Sequence, residues 1–520
     1  MLKKYLNNRF LILYVTPFIL GALTVFSFQP FNFTLINFFI LPIFFYLIVY
    51  IKKKSKSTYR KKPYKKNLLI FGTIFGFGFF FSGIFWITNS LTFDENFKFL
   101  IPFALIIIPL FLSLFFGLTT LLIGPFLNLN FSSILIFSGA FAFSDFIRAK
   151  VLTGFPWNLW GYSFSWATEI IQILNLIGFF AFNLIIITLF TLPATIFFNI
   201  NNIKKIFSLL FTSLTFVLLY IYGSYLINQN DIIIASKNEK FNIKVVSPNF
   251  DLEYGLSINQ IESRLKKLVR YSEPNKNLKT LFIWPEGPLS GYSYEEVLQL
   301  KEIISKNFSD NHFIVFGINR LNKTKGQYYN SLLVINNKFE IIQQYNKQQL
   351  VPFGEFLPFE KLLNKIGLKK ITEGHGSFLK GDKQKNLVID NLNILPMICY
   401  EVIFTRLIQK ADLNTNLIIN ISEDGWFGNT IGPHQHFAKG IFRAIEQNSF
   451  FIRSANKGIS AIINNKGEVI KKLDVNEAGN IELEVPLIKS KYKNKNDLIF
   501  FILLFTYLLI YKIFKKRNEK

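Results

Sequence analysis

Eight stretches of this chain are apolar over lengths that a soluble core of ordinary size does not hide, and they limit what it can fold into. A bilayer core of ~30 Å is crossed by about 20 largely apolar residues in a helix, whose backbone polar groups bond within the segment. Seven candidate spans lie near 10–27, 32–51, 68–88, 101–125, 131–147, 168–198 and 205–227, and an eighth near 498–514. The fifth is short, and the sixth is long enough to tilt or break. The first runs on towards the second without a small-residue cleavage site between them, so a retained span is expected rather than a cleaved leader.

Charge orients the spans. The N-terminus carries Lys3, Lys4 and Arg9. The loop after the second span carries Lys52, Lys53, Lys54, Lys56, Arg60, Lys61, Lys62, Lys65 and Lys66. Lys204 and Lys205 follow the sixth, and Lys515, Lys516, Arg517 and Lys520 end the chain. The positive-inside rule assigns these four segments to the cytoplasmic side. The loops near 89–100 and 148–167 and the long segment 228–496 are then expected on the opposite face. Asp94 and Glu95 against Lys98 agree with this; Lys489, Lys491, Lys493 and Lys495 run against it, but long translocated domains obey charge rules weakly. Because so much of the +25 net charge flanks apolar segments, it argues for membrane orientation and against a nucleic-acid ligand. The single cysteine leaves no intramolecular disulfide, so a domain outside the cytoplasm folds without one.

Between 240 and 488 the pattern changes. Short β-rich runs at 242–246, 280–284, 312–317, 330–335, 394–399, 416–421, 450–453 and 459–463 alternate with helical candidates near 256–271, 294–306, 402–410 and 434–447. Buried strands alternating with helices imply an α/β sheet arrangement. The expected division is a membrane domain over 1–227, a soluble α/β domain over 228–496, and a last span with a basic tail over 497–520.

Three reactive side chains stand at strand ends, where α/β folds place their sites. Glu286 follows Leu281-Phe282-Ile283-Trp284-Pro285, Lys347 follows the strand-like 339–345, and Cys399 ends Ile394-Leu395-Pro396-Met397-Ile398. A strand, a nucleophile and a helix start expose a side chain at a tight turn and aim amides at developing charge. A thiol attacks as thiolate. Lys347 can lower its pKa or bind an oxyanion, and Glu286 can carry the proton. Taken alone, however, a cysteine at the end of an apolar strand reads as a small buried hydrophobe, and an isolated Glu or Lys as solvated. His434 and His436 lie two apart on a helical stretch without partners at ligand spacing, so no metal site is expected.

The surrounding words change that balance. Trp284-Pro285-Glu286, then Tyr345-Asn346-Lys347-Gln348-Gln349-Leu350-Val351-Pro352-Phe353-Gly354-Glu355-Phe356-Leu357-Pro358, then Ile398-Cys399-Tyr400-Glu401 occur in that order. The set resembles the nitrilase superfamily and, within it, the membrane-fused apolipoprotein N-acyltransferases. The resemblance implies a polytopic helical bundle of about eight spans joined to a nitrilase-like αββα sandwich. It implies Glu286 as general base, Lys347 as the oxyanion-stabilising residue and Cys399 as nucleophile. Glu355, Tyr400 and Glu401 match supporting positions. Glu355 also reads as a turn residue between prolines, and Tyr400 and Glu401 as a helix-start pair suited to the first-turn dipole.

Two words in the apolar part also match. Gly72, Gly76, Gly78, Gly83 and Trp86 fall on the third span, where small residues four apart favour close helix packing. Asp145, Arg148 and Trp157 lie at an outer boundary, where the resemblance implies lid or substrate contacts and simple anchoring is the plainer reading. Trp426 and Asn456 are further candidate contacts. The chain departs from the family at Asp145, usually Glu, at Glu423, usually Asn, and at Lys457; Tyr254 is the nearest aromatic to a tryptophan the family carries.

The resemblance implies acyl transfer from a membrane phospholipid, through a Cys399 thioester, to the α-amino group of a lipoprotein's diacylglyceryl-cysteine. It calls for no cofactor or metal. The expected setting is the inner membrane of a Gram-negative cell, with the soluble domain periplasmic and the chain monomeric. A membrane-anchored amidase using water is the rival enzyme. A transporter or binding scaffold is the non-enzymatic one, weakened by the scarcity of charges within the spans.

Overall fold

The computed structural model describes residues 8–54, 64–360, 376–382, 385–488 and 496–518. Of the charges used above for orientation, Lys3, Lys4, Lys56, Arg60, Lys61, Lys62, Lys489, Lys491, Lys493, Lys495 and Lys520 lie outside the described residues. The chain divides into two compact units, Met1–Thr88 with Glu95–Tyr225 and Lys495–Lys520, and Asn89–Asp94 with Leu226–Asn494.

The first unit is helical. Among the described residues seven helices are long and apolar enough to cross a membrane: Thr34–Lys54, Tyr64–Thr92, Glu95–Phe126, Phe131–Arg148, Phe179–Phe197, Asn202–Ala235 and Asp497–Lys515. The first expected span is shorter, an apolar helix over Leu11–Ser27. The sixth breaks into Thr168–Ile177 and Phe179–Phe197, hinged at Gly178 with φ +77°, a backbone conformation that glycine adopts without steric cost. On Asn202–Ala235, Phe207, Leu210, Leu214, Leu218 and Ile221 are exposed, as an apolar solvent requires. The third-span glycines pack helices together, in line with the plainer reading of that motif. A Cβ on Gly76 would sit 2.9 Å from Ser113 Cα of the neighbouring helix, and Thr120 donates across the same seam to the Leu68 carbonyl at 2.9 Å.

The second unit contains two six-stranded sheets. We number its strands β1 Lys240–Ser247, β2 Thr280–Ile283, β3 His312–Asn322, β4 Gln327–Ile335, β5 Ile341–Asn346, β6 Leu387–Ile389, β7 Leu392–Ile398, β8 Leu417–Glu423, β9 Phe450–Asn456, β10 Ser460–Ile463, β11 Val469–Leu473 and β12 Gly479–Pro486. The sheet orders are β12-β1-β2-β3-β4-β5 and β11-β10-β9-β8-β7-β6. β1, β2 and β3 run parallel, as do β7, β8 and β9.

Strand periodicity sorts the side chains. Leu281, Ile283, Val315, Leu332 and Val334 from the first sheet share one core with Ile394, Ile398, Leu417, Ile419 and Ile452 from the second. The alternate residues Phe282, Trp284, Ile314, Phe316 and Leu333 face outward into a separate core with the helix Ile258–Ser272. That helix starts where it does because Ser257 and Gln260 form a reciprocal capping box, and it ends at Glu273, whose φ of +42° is left-handed. It buries Ile261, Leu265, Leu268 and Val269, each worth about 1.5–3 kcal/mol when fully buried. The helix Gly432–Gln447 covers β9, its Gly440 seated against the Phe451 ring. The result is the expected helix–sheet–sheet–helix sandwich.

Candidate active site

The candidate residues converge because their strands point one way. Parallel β1–β3 set the direction in the first sheet, and β5, antiparallel to β4 and thus parallel to β3, delivers Lys347 to the same end as Glu286. Cys399 follows β7, and Glu423 closes β8 in the second sheet. Gly317 lets the Glu286 turn approach β3: a Cβ there would fall 2.7 Å from Glu286 Cα.

Three of the charged groups form one buried cluster. Lys347 Nζ lies 3.2 Å from Glu286 Oε1 and 2.8 Å from Glu355 Oε1. Asn330 Nδ2 donates to both glutamates, at 2.7 Å each. The other oxygens are held too: the Glu423 N–H donates to Glu286 Oε2 at 3.0 Å, and the Val351 N–H to Glu355 Oε2 at 2.9 Å. Burial pulls the Lys347 pKa down, but Glu286 and Glu355 outweigh it and hold the ammonium well above its ordinary pKa.

Cys399 is buried and takes φ +49°, a left-handed position uncommon for a residue with a side chain. The expected lowering of its pKa does not occur. Burial pushes the thiol up and the charge of Glu286 adds to it; Lys347 and a hydrogen bond with Ser422 only partly offset this. Cys399 therefore rests as a thiol, electrostatically coupled to both Glu286 and Lys347.

Glu401 ties the two sheets together beneath the cluster. Its Oε1 accepts from the Gln348 and Gln349 N–H groups (2.7 and 3.0 Å) and the Tyr345 hydroxyl (2.8 Å), and its Oε2 from the Ile398 N–H at 2.8 Å. Burial raises its pKa, and these donors oppose that by stabilising the carboxylate. Lys347 and Cys399 are thus held in register by one carboxylate that bonds the backbone beside each. Tyr400 is half-buried, against the inter-sheet core and the Phe404 ring at 5.1 Å.

The remaining candidates each have partners within their own unit. Asp145 and Arg148 form a buried ion pair of 2.9 Å within the helical unit. Asn183 donates to Asp145 at 3.0 Å, and Arg148 donates to the carbonyls of Phe155 and Trp157 at 2.6 and 3.0 Å. Trp157 is fully buried. In this unit all three serve to fix the loop after Phe131–Arg148. Trp426 is half-buried among Phe93 (5.3 Å) and Tyr254 (6.4 Å), with Asn89 donating to its carbonyl at 3.1 Å. Asn456 holds the Phe250 backbone by bonds of 2.8 and 2.9 Å and donates to Glu423 at 2.8 Å.

The place of Asn330, and of a buried group behind Cys399, is set only by the fold. Asp424, His436 and Arg453 lie together there, with Asp424 Oδ1 3.0 Å from His436 Nδ1 and Oδ2 2.7 Å from Arg453 Nη2. Among the described residues no group of three or more His, Cys, Asp or Glu is disposed to hold a metal.

A two-sheet sandwich with Glu, Lys and Cys at one end of its strands defines the class. Residues 255–489 match the carbon-nitrogen hydrolase family, and residues 20–192 match the apolipoprotein N-acyltransferase N-terminal domain. Curated apolipoprotein N-acyltransferases are similar over most of the chain. That of Rickettsia typhi is 32% identical over 95% of this chain and 97% of its own. That of Rhizobium leguminosarum is 32% identical over 80% and 79%, and that of Brucella melitensis 29% identical over 91% and 89%. The chain belongs to the apolipoprotein N-acyltransferase family. It is an acyltransferase and a multi-pass membrane protein.

Proposed function

We propose that this chain transfers a fatty acyl group from a membrane phospholipid to the N-terminal diacylglyceryl-cysteine of lipoproteins, through a thioester on Cys399. The observation that carries the chemistry is the single ammonium of Lys347 shared by two buried carboxylates beside a thiol that rests protonated. A thiol in that state needs a base at the moment of attack, and of the carboxylates whose charge acts on it Glu286 acts most strongly.

In the first step the Glu286 carboxylate takes the thiol proton as the sulfur attacks the ester carbonyl. The ammonium of Lys347 stabilises the oxyanion. The ester C–O bond then breaks, Glu286 protonates the leaving alkoxide, and lysophospholipid departs. In the second step the acceptor amine attacks the thioester and gives a proton to Glu286. The C–S bond breaks, an amide forms, and the proton returns to sulfur. Glu355 keeps Lys347 charged and fixed throughout. No cofactor is needed, since the phospholipid ester is already an activated acyl donor. Both substrates are lipid-anchored, which supports the fusion of the site to membrane helices, and the positive-inside pattern supports a periplasmic catalytic unit.

The test supplies purified enzyme with phospholipid and a synthetic diacylglyceryl-cysteine peptide. Gain of one acyl mass, in amide linkage at the peptide's amino terminus, is expected. Hydrolysis of a small amide without any acylated peptide would replace this reading with the amidase one. Reporter fusions within 228–496 are expected to report as periplasmic; a cytoplasmic result would remove the lipoprotein acceptor.

A further inference from the structure

Behind the Cys399 turn lies a group of buried polar side chains that the steps above do not use. Its parts come from three elements: Asp424 just after β8, His436 on the helix Gly432–Gln447, and Arg453 on β9. His436 is 1% exposed, and its Nε2 lies 3.2 Å from the Cys399 carbonyl oxygen. A carbonyl only accepts, so Nε2 carries the proton. Nδ1 lies 3.0 Å from Arg453 Nη2 and 3.0 Å from Asp424 Oδ1.

The ring is fixed from behind. Arg453 Nη2 donates to Asp424 Oδ2 at 2.7 Å and its Nε to the Ile459 carbonyl at 3.2 Å, while the Ser422 hydroxyl donates to Asp424 Oδ1 at 2.7 Å. Burial lowers the His436 pKa and Arg453 adds to this, which together outweigh the opposing charge of Asp424. This agrees with a neutral ring that accepts at Nδ1 from Arg453 and donates at Nε2 to Cys399. Such an arrangement orients one carbonyl, at a residue whose left-handed backbone persists only where its surroundings over-determine it.

We propose that His436 is a positioning residue for acyl transfer, its Nε2–H fixing the peptide unit between Cys399 and Tyr400 and, through it, the sulfur and the Tyr400 N–H. A trans peptide is planar with its C=O and N–H on opposite sides, so a bond that sets the carbonyl also sets the N–H. Asp424 and Arg453 act through the ring. The inference rests on reading Cys399 as the nucleophile.

The test uses full-length enzyme in detergent and compares His436→Leu, His436→Gln and Cys399→Ser. It reads acyl-enzyme formation at saturating phospholipid, the half-saturating phospholipid concentration, and the melting temperature. His436→Leu is expected to slow acylation by about 10²-fold, as misplacement of a reacting atom does, with half-saturation shifted less than about twofold. Gln places an amide donor near the Nε2 position, so His436→Gln should recover at least about tenfold of the loss. His436→Leu acylating at the parent rate per folded molecule would overturn the proposal. So would His436→Gln as slow as His436→Leu with a parent-like melting temperature. Full transfer by Cys399→Ser would instead remove the underlying reading, whereas an inert Cys399→Ser beside an unimpaired His436→Leu removes this inference alone.

Discussion

The helical unit and the sandwich unit both bury charge, but they balance it differently. In the helices Asp145 meets Arg148 one to one, and Asn183 and two carbonyls occupy further donors and acceptors. In the sandwich two carboxylates, Glu286 and Glu355, share the one ammonium of Lys347 beside a thiol. A closed pair leaves no charge in surplus. An open cluster keeps a carboxylate in surplus, and that surplus is what proton transfer draws on.

The largest effect should separate the two directly. Cys399→Ala is expected to remove transfer by at least about 10⁴-fold, and Glu286→Gln by about 10²–10⁴-fold, with melting temperatures close to the parent. Arg148→Met should do the reverse. Leaving Asp145 buried without its cation costs about 3–5 kcal/mol, read as a large drop in thermal stability in detergent micelles, while activity per folded molecule stays within a few-fold. Asp145→Asn combined with Arg148→Met should regain most of that stability. A loss of activity per folded molecule comparable to that of Cys399→Ala would instead place the pair in the chemistry.

A smaller effect tests how the surplus is held. Asn330→Leu removes the donor shared by Glu286 and Glu355. Leaving buried carboxylate oxygens short of a bond costs about 1–3 kcal/mol, expected here as about a 10–100-fold fall in acylation rate. An unchanged rate would mean that Lys347 alone organises the cluster.

What the sequence disclosed divides along similar lines. The charged residues at strand ends were legible because each closes a local pattern: an apolar run before Glu286 and before Cys399, and the fourteen-residue segment around Lys347. The eight principal runs of the sandwich were legible for the same reason, since their alternation is written locally. β6, β11 and β12 were not picked out: Leu387–Ile389 is three residues long, and Val469–Leu473 is largely exposed and carries two lysines. β12 becomes a strand by pairing with β1, more than 200 residues earlier. Asn330 and His436 were illegible for the same tertiary reason, their partners lying 44 and 37 residues away in Glu286 and Cys399. Sequence shows the cation that lowers the Cys399 pKa but not the burial that outweighs it.

The smallest predicted effect concerns Glu423, buried at the end of β8. Burial pushes its carboxyl up to about 8, with Glu286 and Asp424 adding to the shift. A carboxyl that binds its proton more tightly when folded stabilises the fold below its unfolded pKa of about 4.5, and loses that contribution as pH rises through about 8. Wild type should therefore lose more melting temperature between about pH 5 and pH 9 than Glu423→Gln does. Parallel curves would show that this carboxyl does not titrate in that window.

The central claim is that the surplus carboxylate serves a sulfur that becomes acylated. Purified protein incubated with phospholipid alone, then digested and weighed, tests it most directly. The account predicts a fatty-acyl mass on the Cys399 peptide, removed by hydroxylamine and absent from Cys399→Ser. No adduct under conditions that sustain turnover would contradict it.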